Sequence, residues 1–468
     1  MLHMAAVHPN QIRFDANLIR RYDGRGPRYT SYPTALQFTE RFTGDEYREF
    51  ALQSNSSDRP LSLYVHIPFC RSLCYYCGCN KIVTRNQERV SRYLDYLHRE
   101  ISMQAGLFTT SRRVTQLHFG GGTPTYLDAA HLGDLMATLE RAFAFAPSSE
   151  REFSIEVDPR TVDEQAIRFL ASLGFNRLSL GVQDFDTAVQ RAVNRMQSEV
   201  QVRSLLDAAR AAQFKSISFD LIYGLPLQTV SGFERTLDTV IAMRPDRLAV
   251  YNYAHLPARF KGQRMIPAEQ IPQPDTKLAI LQQTITRLSA AGYSYIGMDH
   301  FALPDDELVV ARRNGSLQRN FQGYATHKRC DLIGLGASAI SHVGDSFAQN
   351  AVTTQAYEAL LDDGRLPILK GLAIDADDLI RADVMQALMC YDSLQYAEFD
   401  RRHGIVFADY FRAELERLAV LDRDGLVQLA DTHIAVTPRG RLLLRSIAMC
   451  FDRHLADADV NERFSKAI

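Results

Sequence analysis

The sequence predicts an α/β protein built on a partial (β/α)6 barrel of the TIM type, with an N-terminal lid segment and a mostly helical C-terminal domain. Short β-branched runs alternate with amphipathic helical stretches through the middle of the chain, which is the pattern of parallel βα units. Six such units are present, fewer than a closed barrel needs. A chain of 468 residues is also too long for one hydrophobic core. We therefore expect an N-terminal arm at 1–55, the barrel at 56–370 and a C-terminal domain at 371–468.

The predicted barrel strands are short apolar runs, and amphipathic stretches between them predict the helices. The strands are expected at 61–66, 114–119, 152–157, 177–181, 216–222 and 247–253. The helices are expected at 87–107, 127–146, 161–173, 184–195, 200–212 and 230–243. A further run at 293–298 is expected to extend the edge of the sheet.

The C-terminal domain has a different pattern. Residues 374–390, 407–421 and 439–455 predict helices, and 425–437 alternate like a hairpin. Helices with a small hairpin are typical of a winged-helix module, which would bind nucleic acid or act as a structural cap or substrate lid. Reading bases requires a basic face, and Asp and Glu are interspersed throughout this domain, so the cap is favoured.

Composition narrows the class of protein. The formal net charge of −2 argues against a generic nucleic-acid binder. The apolar runs are too short to span a membrane, and the first ten residues lack the apolar stretch of a secretory signal. We therefore expect a cytoplasmic protein that binds no nucleic acid and has no membrane span.

Cys70, Cys74 and Cys77 follow the first predicted strand with the spacing C-x3-C-x2-C. Three thiolates on one tight loop suit an iron–sulfur cluster that keeps one iron without a protein ligand. A zinc site, or a redox pair formed by Cys74 and Cys77, is the alternative. A disulfide framework is disfavoured because the chain has an odd total of seven cysteines and no signal peptide. Cys79 exceeds the three-thiolate count, and a simple packing role is as plausible for it as a functional one.

Polar and glycine motifs follow the predicted strands at their C-terminal ends, where the active sites of β/α barrels lie. Gly120-Gly121-Gly122 lets a ligand approach the backbone closely, or simply forms a tight turn. Glu156 and Asp220 lie in apolar strands, so each needs a partner such as a ribose diol, a cation or a barrel salt bridge. Arg195, at a helix end, can bind a cofactor carboxylate or complement the helix dipole.

Arginines and tyrosines alternate in the N-terminal segment, which includes Arg28 and Tyr29. Guanidinium forks bind carboxylates and aromatic rings stack, so the pattern suits a flat polyanionic ligand. Nucleic acid or a solvated tail would also account for it.

The residues around Cys77, which follows the aromatic Tyr76, resemble the signature of the radical S-adenosylmethionine family. This resemblance implies that the three cysteines hold a 4Fe–4S cluster and that S-adenosylmethionine chelates the fourth iron. Reductive cleavage of the sulfonium then gives methionine and a 5′-deoxyadenosyl radical, so the cofactor supplies the chemistry and the protein positions it.

A longer set of motifs resembles the family of bacterial oxygen-independent coproporphyrinogen III oxidases, from about residue 20 to the end. The motifs are 26–35, the cysteine loop with Cys79, 251–257 and 320–324. The resemblance implies oxidative decarboxylation of two propionates of coproporphyrinogen III to vinyl groups, giving protoporphyrinogen IX. It also implies two S-adenosylmethionine molecules, an electron donor, an electron acceptor and a monomeric chain. The alternatives are a haem-binding chaperone on the same scaffold and a zinc-stabilised nucleic-acid binder.

The resemblance also implies the roles of individual residues. The cluster ligands would be Cys70, Cys74 and Cys77, with His66 nearby in a supporting role. The first S-adenosylmethionine would be lined by Tyr64, Gly121, Glu156 and Ile340. The second would be lined by Tyr76, Gly122, Thr123, Gln183, Arg195, Asp220 and Ala254. The substrate would contact Arg28, Tyr29 and Gln322. His327, Lys328 and Cys330 depart from the family pattern.

Overall fold

The computed structural model describes residues 12–327 and 330–455, whose contacts form two compact units. The barrel unit contains the described residues of 35–273 and 329–374, and the C-terminal unit contains those of 1–34, 274–328 and 375–468. This grouping differs from three contiguous segments because residues 274–328 contact the C-terminal part of the chain. Tyr324, for example, donates its hydroxyl hydrogen to the Met389 carbonyl at 3.0 Å.

Six parallel neighbouring strands form the centre of the barrel unit, which confirms the predicted fold class. We number them as barrel strands one to six; their bounds are Leu61–Ile67, Val114–Gly121, Glu152–Val157, Arg177–Gln183, Ser216–Tyr223 and Arg247–Asn252. Each prediction lies within two residues of the observed strand. Buried parallel strands read as continuous apolar runs, which explains the agreement.

Four further strands extend the sheet beside barrel strand one, and the sequence pattern did not predict them. Asp331–Leu335 pairs parallel with barrel strand one, and the next three follow as an antiparallel series. That series consists of Ile340–Val343, Ser346–Asn350 and Ile368–Ala373. Leu332 to Leu335 form a short apolar run that is buried throughout, whereas the other three strands mix apolar with polar residues.

The helices of the barrel unit begin at side-chain caps, and the helices predicted from residues 127, 161 and 184 start too early because they overran these caps. Asp163 accepts a hydrogen bond from the Ala166 amide, so the helix predicted from residue 161 begins at Glu164. Asp186 caps the next helix in the same way, which shortens it to Thr187–Ala192. The helices are Gly44–Ser54, Gln87–Ala105, Ala129–Ala142, Glu164–Ser172, Thr187–Ala192, Glu199–Ala211, Val230–Met243 and Thr354–Asp362.

The C-terminal unit is mostly helical. Its helices are Ala16–Tyr22, Pro274–Ala290, Glu307–Arg313, Ala376–Tyr391, Tyr396–His403, Phe407–Tyr410, Arg412–Arg423 and Leu444–Met449. The helix predicted at 407–421 is interrupted at Phe411, and the one predicted at 439–455 is confined to Leu444–Met449 after a 3-10 turn.

The strands of the C-terminal unit form three small groups. The predicted hairpin is present as Val427–Leu429 and His433–Val436, and Ser393–Gln395 adds a third strand. The run predicted at 293–298 is the strand Ser294–Gly297, paired antiparallel with His300–Ala302. A third pair, Gln318–Asn320 with Gly323–Ala325, forms a short hairpin.

The N-terminal arginine- and tyrosine-rich segment packs into the core of the C-terminal unit. Tyr29 is 2% exposed, and its hydroxyl donates to Asp452 at 2.9 Å. The amide of Arg453 donates to the Tyr32 hydroxyl at 3.1 Å. Arg445 donates to the carbonyls of Gly26 and Pro27, so the segment is anchored by buried polar contacts. Within residues 12–327 and 330–455, no helix has the length and apolarity to cross a bilayer.

Candidate active site

The cysteine loop leaves the C-terminal end of barrel strand one and is held at both ends by hydrogen bonds. Phe69–Cys70 pairs parallel with Ile82–Val83, and the Thr84 amide donates to the Cys70 carbonyl at 3.1 Å. On the other side, the Tyr75 amide donates to the Val193 carbonyl at 3.0 Å. These contacts shape the loop through protein groups alone.

The four thiols of the loop differ in environment. Cys70 and Cys74 are buried, Cys77 is half-buried and Cys79 is exposed. Burial raises the pKa of Cys70 to about 11. The hydrogen bond between Cys77 and Cys79 lowers the pKa of Cys77 to about 6, and the Lys81 ammonium adds to this shift. The same hydrogen bond raises the pKa of Cys79. Cys77 therefore has the thiolate character that metal ligation requires.

Two guanidinium groups contact the thiol of Cys74. Arg160 Nη2 lies 3.3 Å and Arg195 Nη1 lies 3.4 Å from its Sγ. Both arginines also bind Asp158, Arg160 at 2.6 Å and Arg195 at 3.1 Å. Burial acts to raise the pKa of Asp158, but Arg160 and Arg195 hold it below its usual value. Two guanidinium groups therefore share one carboxylate, which leaves one positive charge in excess beside the sulfur of Cys74.

A hydrogen-bonded chain fixes the tautomer of His66, which is 5% exposed. Its Nε2 lies 3.1 Å from the Asn80 carbonyl, which can only accept, so Nε2 carries the hydrogen. Nδ1 then accepts from the Tyr64 hydroxyl at 3.1 Å. Burial lowers the pKa of His66, so the ring is neutral near pH 7. The Tyr93 hydroxyl donates to the His66 carbonyl at 2.8 Å and holds the backbone as well.

The glycine motif passes so close to its neighbours that side chains are excluded. Gly121 has φ +114°, and a Cβ there would lie 2.6 Å from Cε1 of His66. A Cβ on Gly122 would lie 2.6 Å from the Pro68 carbonyl oxygen. Thr123 follows with its hydroxyl 3.5 Å from the sulfur of Cys70. The requirement for glycine at these two positions is therefore steric, and the atoms that impose it belong to the protein.

The two predicted carboxylates have opposite electrostatic environments. Burial acts to raise the pKa of Glu156, but His118 at 3.2 Å and the Gly121 amide at 3.2 Å lower it below its usual value. Burial raises the pKa of Asp220 to about 7, and the nearby charge of Glu156 adds to the shift. Ser179 donates to Asp220 at 3.0 Å. Glu156 is thus ionised near pH 7, whereas Asp220 is partly protonated.

Two predicted cofactor residues present buried polar atoms without partners. Among the described residues, neither Oε1 of Gln183 nor Nε of Arg195 has a hydrogen-bond partner. Gln183 is held at φ +66° at the end of barrel strand four. Gln263 ties two other predicted residues together, because its Nε2 donates to the carbonyls of Tyr76 at 3.0 Å and Ala254 at 3.2 Å. Ile340 begins the strand Ile340–Val343 of the same unit.

In the described part of the chain, no three His, Cys, Asp or Glu side chains lie close enough together to hold one metal ion. A 4Fe–4S cluster does not require such a group, because each of its thiolates binds a different iron. This result therefore does not test the cluster ligands, and their assignment stays a prediction.

The predicted substrate residues lie in the C-terminal unit. Arg28 forms an ion pair with Asp299 at 3.3 Å, and Tyr29 is occupied by Asp452. The side-chain nitrogen of Gln322 is buried and has no hydrogen-bond partner among the described residues. Lys328 lies outside the described residues.

Sequence reasoning missed His118, Asp158 and Arg160 as parts of the site. His118 points to the same face of barrel strand two as Gly120, and Asp158 and Arg160 directly follow barrel strand three. The sequence signal for these three residues is their position near the ends of predicted strands. That signal led to a predicted role only for their neighbours.

Comparison with protein families gives two matches. The Radical SAM superfamily matches residues 64–240, and the HemN C-terminal domain matches residues 374–443.

Comparison with individual proteins gives similarity over nearly the whole chain. An oxygen-independent coproporphyrinogen III oxidase of Pseudomonas aeruginosa is 51% identical, over 98% of this chain and 99% of that protein. The Escherichia coli K12 protein of the same name is 50% identical over equal shares. A solved structure described as E. coli coproporphyrinogen III oxidase, a radical SAM enzyme, superimposes with a TM-score of 0.91 and 50% identity. The match covers 95% of this chain and 100% of that one.

Proposed function

The chain belongs to the oxygen-independent coproporphyrinogen III oxidase family, and on that premise we propose that it oxidatively decarboxylates coproporphyrinogen III to protoporphyrinogen IX. Two propionate side chains become vinyl groups. Each propionate loses carbon dioxide, one proton and two electrons. An electron donor for the cluster and an acceptor for substrate electrons are therefore required. The observation that carries this proposal is the full-length similarity to the solved E. coli enzyme.

The residues of the cysteine loop fit a 4Fe–4S cluster held by Cys70, Cys74 and Cys77. Two of the thiols are buried, the third has a pKa of about 6, and two guanidinium groups face the sulfur of Cys74. Positive donors around a ligand sulfur stabilise its negative charge. When bound, the cluster and S-adenosylmethionine supply a 5′-deoxyadenosyl radical that takes a hydrogen atom from the substrate.

The strand ends around the loop fit S-adenosylmethionine, which carries an amino group, a carboxylate and a ribose diol. We assign the first molecule to Tyr64, Gly121, Glu156 and Ile340. We assign the second to Tyr76, Gly122, Thr123, Gln183, Arg195, Asp220 and Ala254. The unpartnered Oε1 of Gln183 and Nε of Arg195 support this assignment, because buried polar atoms need partners.

His66 acts in this proposal as a positioning residue. Both of its ring nitrogens are engaged, one with Tyr64 and one with the Asn80 carbonyl. A neutral ring with an occupied Nδ1 is poorly suited to accept a proton. It holds the Tyr64 hydroxyl instead, and Tyr64 is one of the residues assigned to the first cofactor molecule.

The test is anaerobic reconstitution with iron and sulfide, followed by turnover of coproporphyrinogen III. The wild-type chain should release 5′-deoxyadenosine and carbon dioxide and form protoporphyrinogen IX. Cys70→Ser, Cys74→Ser and Cys77→Ser should each lose the cluster absorbance near about 400 nm and all turnover. Cys330→Ser is the matched control, because that thiol lies outside the loop and contacts Thr115 at 3.7 Å.

The competing outcomes are distinct. Turnover that survives serine at the three loop positions would overturn the proposal. Tight haem binding without release of 5′-deoxyadenosine would favour the haem-binding chaperone. A colourless protein that retains only zinc would favour a zinc site.

A further inference from the structure

A buried arginine lies in the short hairpin of the C-terminal unit. Arg319 is 6% exposed and sits directly across from Tyr324 in the strand pair. Its guanidinium carbon lies 5.0 Å from the centre of the Tyr324 ring. The backbone is clamped by Gln386, which accepts from the Arg319 amide at 2.9 Å and donates to its carbonyl at 2.5 Å. The side chain is therefore held in one place.

The guanidinium of Arg319 lacks hydrogen-bond partners. Among the described residues, neither its Nε nor its Nη1 has one, although both atoms are buried. Within the described part of the chain, two of the three guanidinium nitrogens, Nε and Nη1, therefore have hydrogen atoms without an acceptor. Burying an unpaired charge is unfavourable, and the ring of Tyr324 compensates it only in part.

Nearby carboxylates are engaged by other arginines. Asp392 is shared by Arg312 and Arg441, the latter at 2.9 Å. Asp299 pairs with Arg28 at 3.3 Å. The ion pairs of these two carboxylates are therefore with arginines other than Arg319.

The same hairpin carries a second open donor. The side-chain nitrogen of Gln322 is buried without a partner among the described residues. The backbone amide of Gln322 donates to the side-chain oxygen of Asn320 at 2.9 Å. A cation and an amide that both lack acceptors call for an anion with two acceptor oxygens. A carboxylate matches the planar fork of arginine best.

We propose that Arg319 binds a propionate carboxylate of the tetrapyrrole substrate, with the side-chain amide of Gln322 as a second donor. This inference rests on the proposed function, because it takes the tetracarboxylate macrocycle as the ligand. It assigns a substrate-binding role to a residue outside the cofactor-lining set. Arg319 contributes to the affinity and orientation of the bound substrate and takes no part in the chemical steps.

The experiment measures binding of coproporphyrin III, the stable oxidised porphyrin with the same four propionates. The reconstituted full chain with S-adenosylmethionine is titrated, and porphyrin fluorescence reports binding. Arg319→Gln should weaken the affinity about 10- to 100-fold, the range expected for a lost charge-assisted hydrogen bond. Arg319→Lys should retain part of the affinity, because it keeps the charge and loses the fork.

Three measurements separate a binding role of Arg319 from a structural role. Arg313→Gln removes an exposed arginine of the same unit and should leave the affinity unchanged. Coproporphyrin III tetramethyl ester lacks free carboxylates, so the wild-type chain and Arg319→Gln should bind it equally. The unfolding temperature of ligand-free Arg319→Gln should equal or exceed that of the wild type, because an unpaired buried charge is removed.

Each result decides between the possibilities. The inference fails if Arg319→Gln binds coproporphyrin III as tightly as the wild type does. It also fails if the affinity of Arg319→Gln for the tetramethyl ester falls by the same factor as its affinity for coproporphyrin III. It also fails if Arg319→Gln and Arg319→Lys both lower the unfolding temperature, which would indicate a structural role. A wild-type chain that neither binds nor converts the tetrapyrrole would instead refute the proposed function.

Discussion

Two buried guanidinium groups, one in each unit, are held in opposite ways. In the barrel unit, Arg195 contacts Asp158 at 3.1 Å, the Gly181 carbonyl at 2.6 Å and the sulfur of Cys74 at 3.4 Å. In the C-terminal unit, Arg319 rests on the Tyr324 ring, and its Nε and Nη1 lack partners among the described residues. A paired charge stabilises the framework of a site, whereas an unpaired one lowers stability until a ligand arrives. Arg195 leaves only its Nε without a partner among the described residues, whereas Arg319 leaves both Nε and Nη1, so the two groups differ in how many donors their neighbours satisfy.

The largest effect is expected when the paired arginine loses its carboxylate. In Asp158→Asn, Arg160 and Arg195 remain near Cys74 without an acidic partner, which should cost about 3–5 kcal/mol of unfolding free energy. Denaturant unfolding measures this loss. Asp207→Asn, on the exposed face of Glu199–Ala211, is the control and should change stability by less than about 0.5 kcal/mol. Equal stability of the two variants would show that the pairing of Arg195 contributes nothing.

The second test asks how rigid the paired region is. Gly121→Ala combines an unfavourable φ of +114° with a methyl group 2.6 Å from the His66 ring. Backbone strain alone costs about 1–3 kcal/mol, and the clash should add to it. Gly292→Ala is the matched control, since φ is +89° and nothing lies within 4 Å of the added Cβ. If both variants lose equal stability in thermal unfolding, the contact with His66 imposes no constraint.

Glu156 and Asp220, in the barrel strands, also differ in how their charges are paired, and the expected effect on stability is smaller. The folded-state pKa of Asp220 is raised from 3.8 to about 7, so the folded chain binds a proton that the unfolded chain releases. Stability should therefore fall as the pH rises from about 4 to about 7, by roughly 1–3 kcal/mol after allowance for solvent. Asp220→Asn should remove this slope and be more stable than the wild type above pH 7.

Glu156 should show the opposite sign, because its folded-state pKa is lowered. Its contribution to stability is present above its unfolded pKa of about 4.5 and is lost as the pH falls through the folded value. Glu156→Gln should therefore be less stable than the wild type at pH 7. Unfolding curves measured from about pH 2 to about pH 8 check both signs, because the Glu156 contribution is lost below about pH 4.5 and that of Asp220 changes between about 4 and about 7. A wild-type slope in Asp220→Asn would contradict the assignment.

The smallest effect concerns the second guanidinium on Cys74. Arg160→Gln removes a donor 3.3 Å from the sulfur of Cys74, one of the proposed cluster ligands, and leaves Arg195 in place. A positive hydrogen-bond donor favours the reduced cluster, so the midpoint potential should become more negative by an amount on the order of tens of millivolts. A redox titration followed by electron paramagnetic resonance measures it, with exposed Arg168→Gln as control. An unchanged or more positive potential would argue against tuning by Arg160.

Features that depend on neighbours in sequence were predictable. The barrel strands are apolar runs of four to eight residues, and the cysteine spacing lies on one loop, so local pattern sufficed. Helix ends were less predictable, because Asp163 and Asp186 decide them through single side-chain caps. The strands of 331–373 were missed, since short segments between turns resemble loops.

Features that depend on distant residues were not predictable from one sequence. The pairing of Asp158 with Arg195 joins residues 37 positions apart, and His118 with Glu156 joins residues 38 apart. Arg319 gave no signal at all. Its burial becomes evident only when the hairpin brings it over Tyr324 and Gln386 clamps its backbone.

The anchoring of the cysteine loop extends the set of positions that can affect it. Backbone hydrogen bonds join Thr84 to Cys70 and Tyr75 to Val193, so the course of the loop depends on residues that carry no thiol. A substitution that displaces the segment around Val193 should therefore impair the assembly of a cluster even though every cysteine is retained.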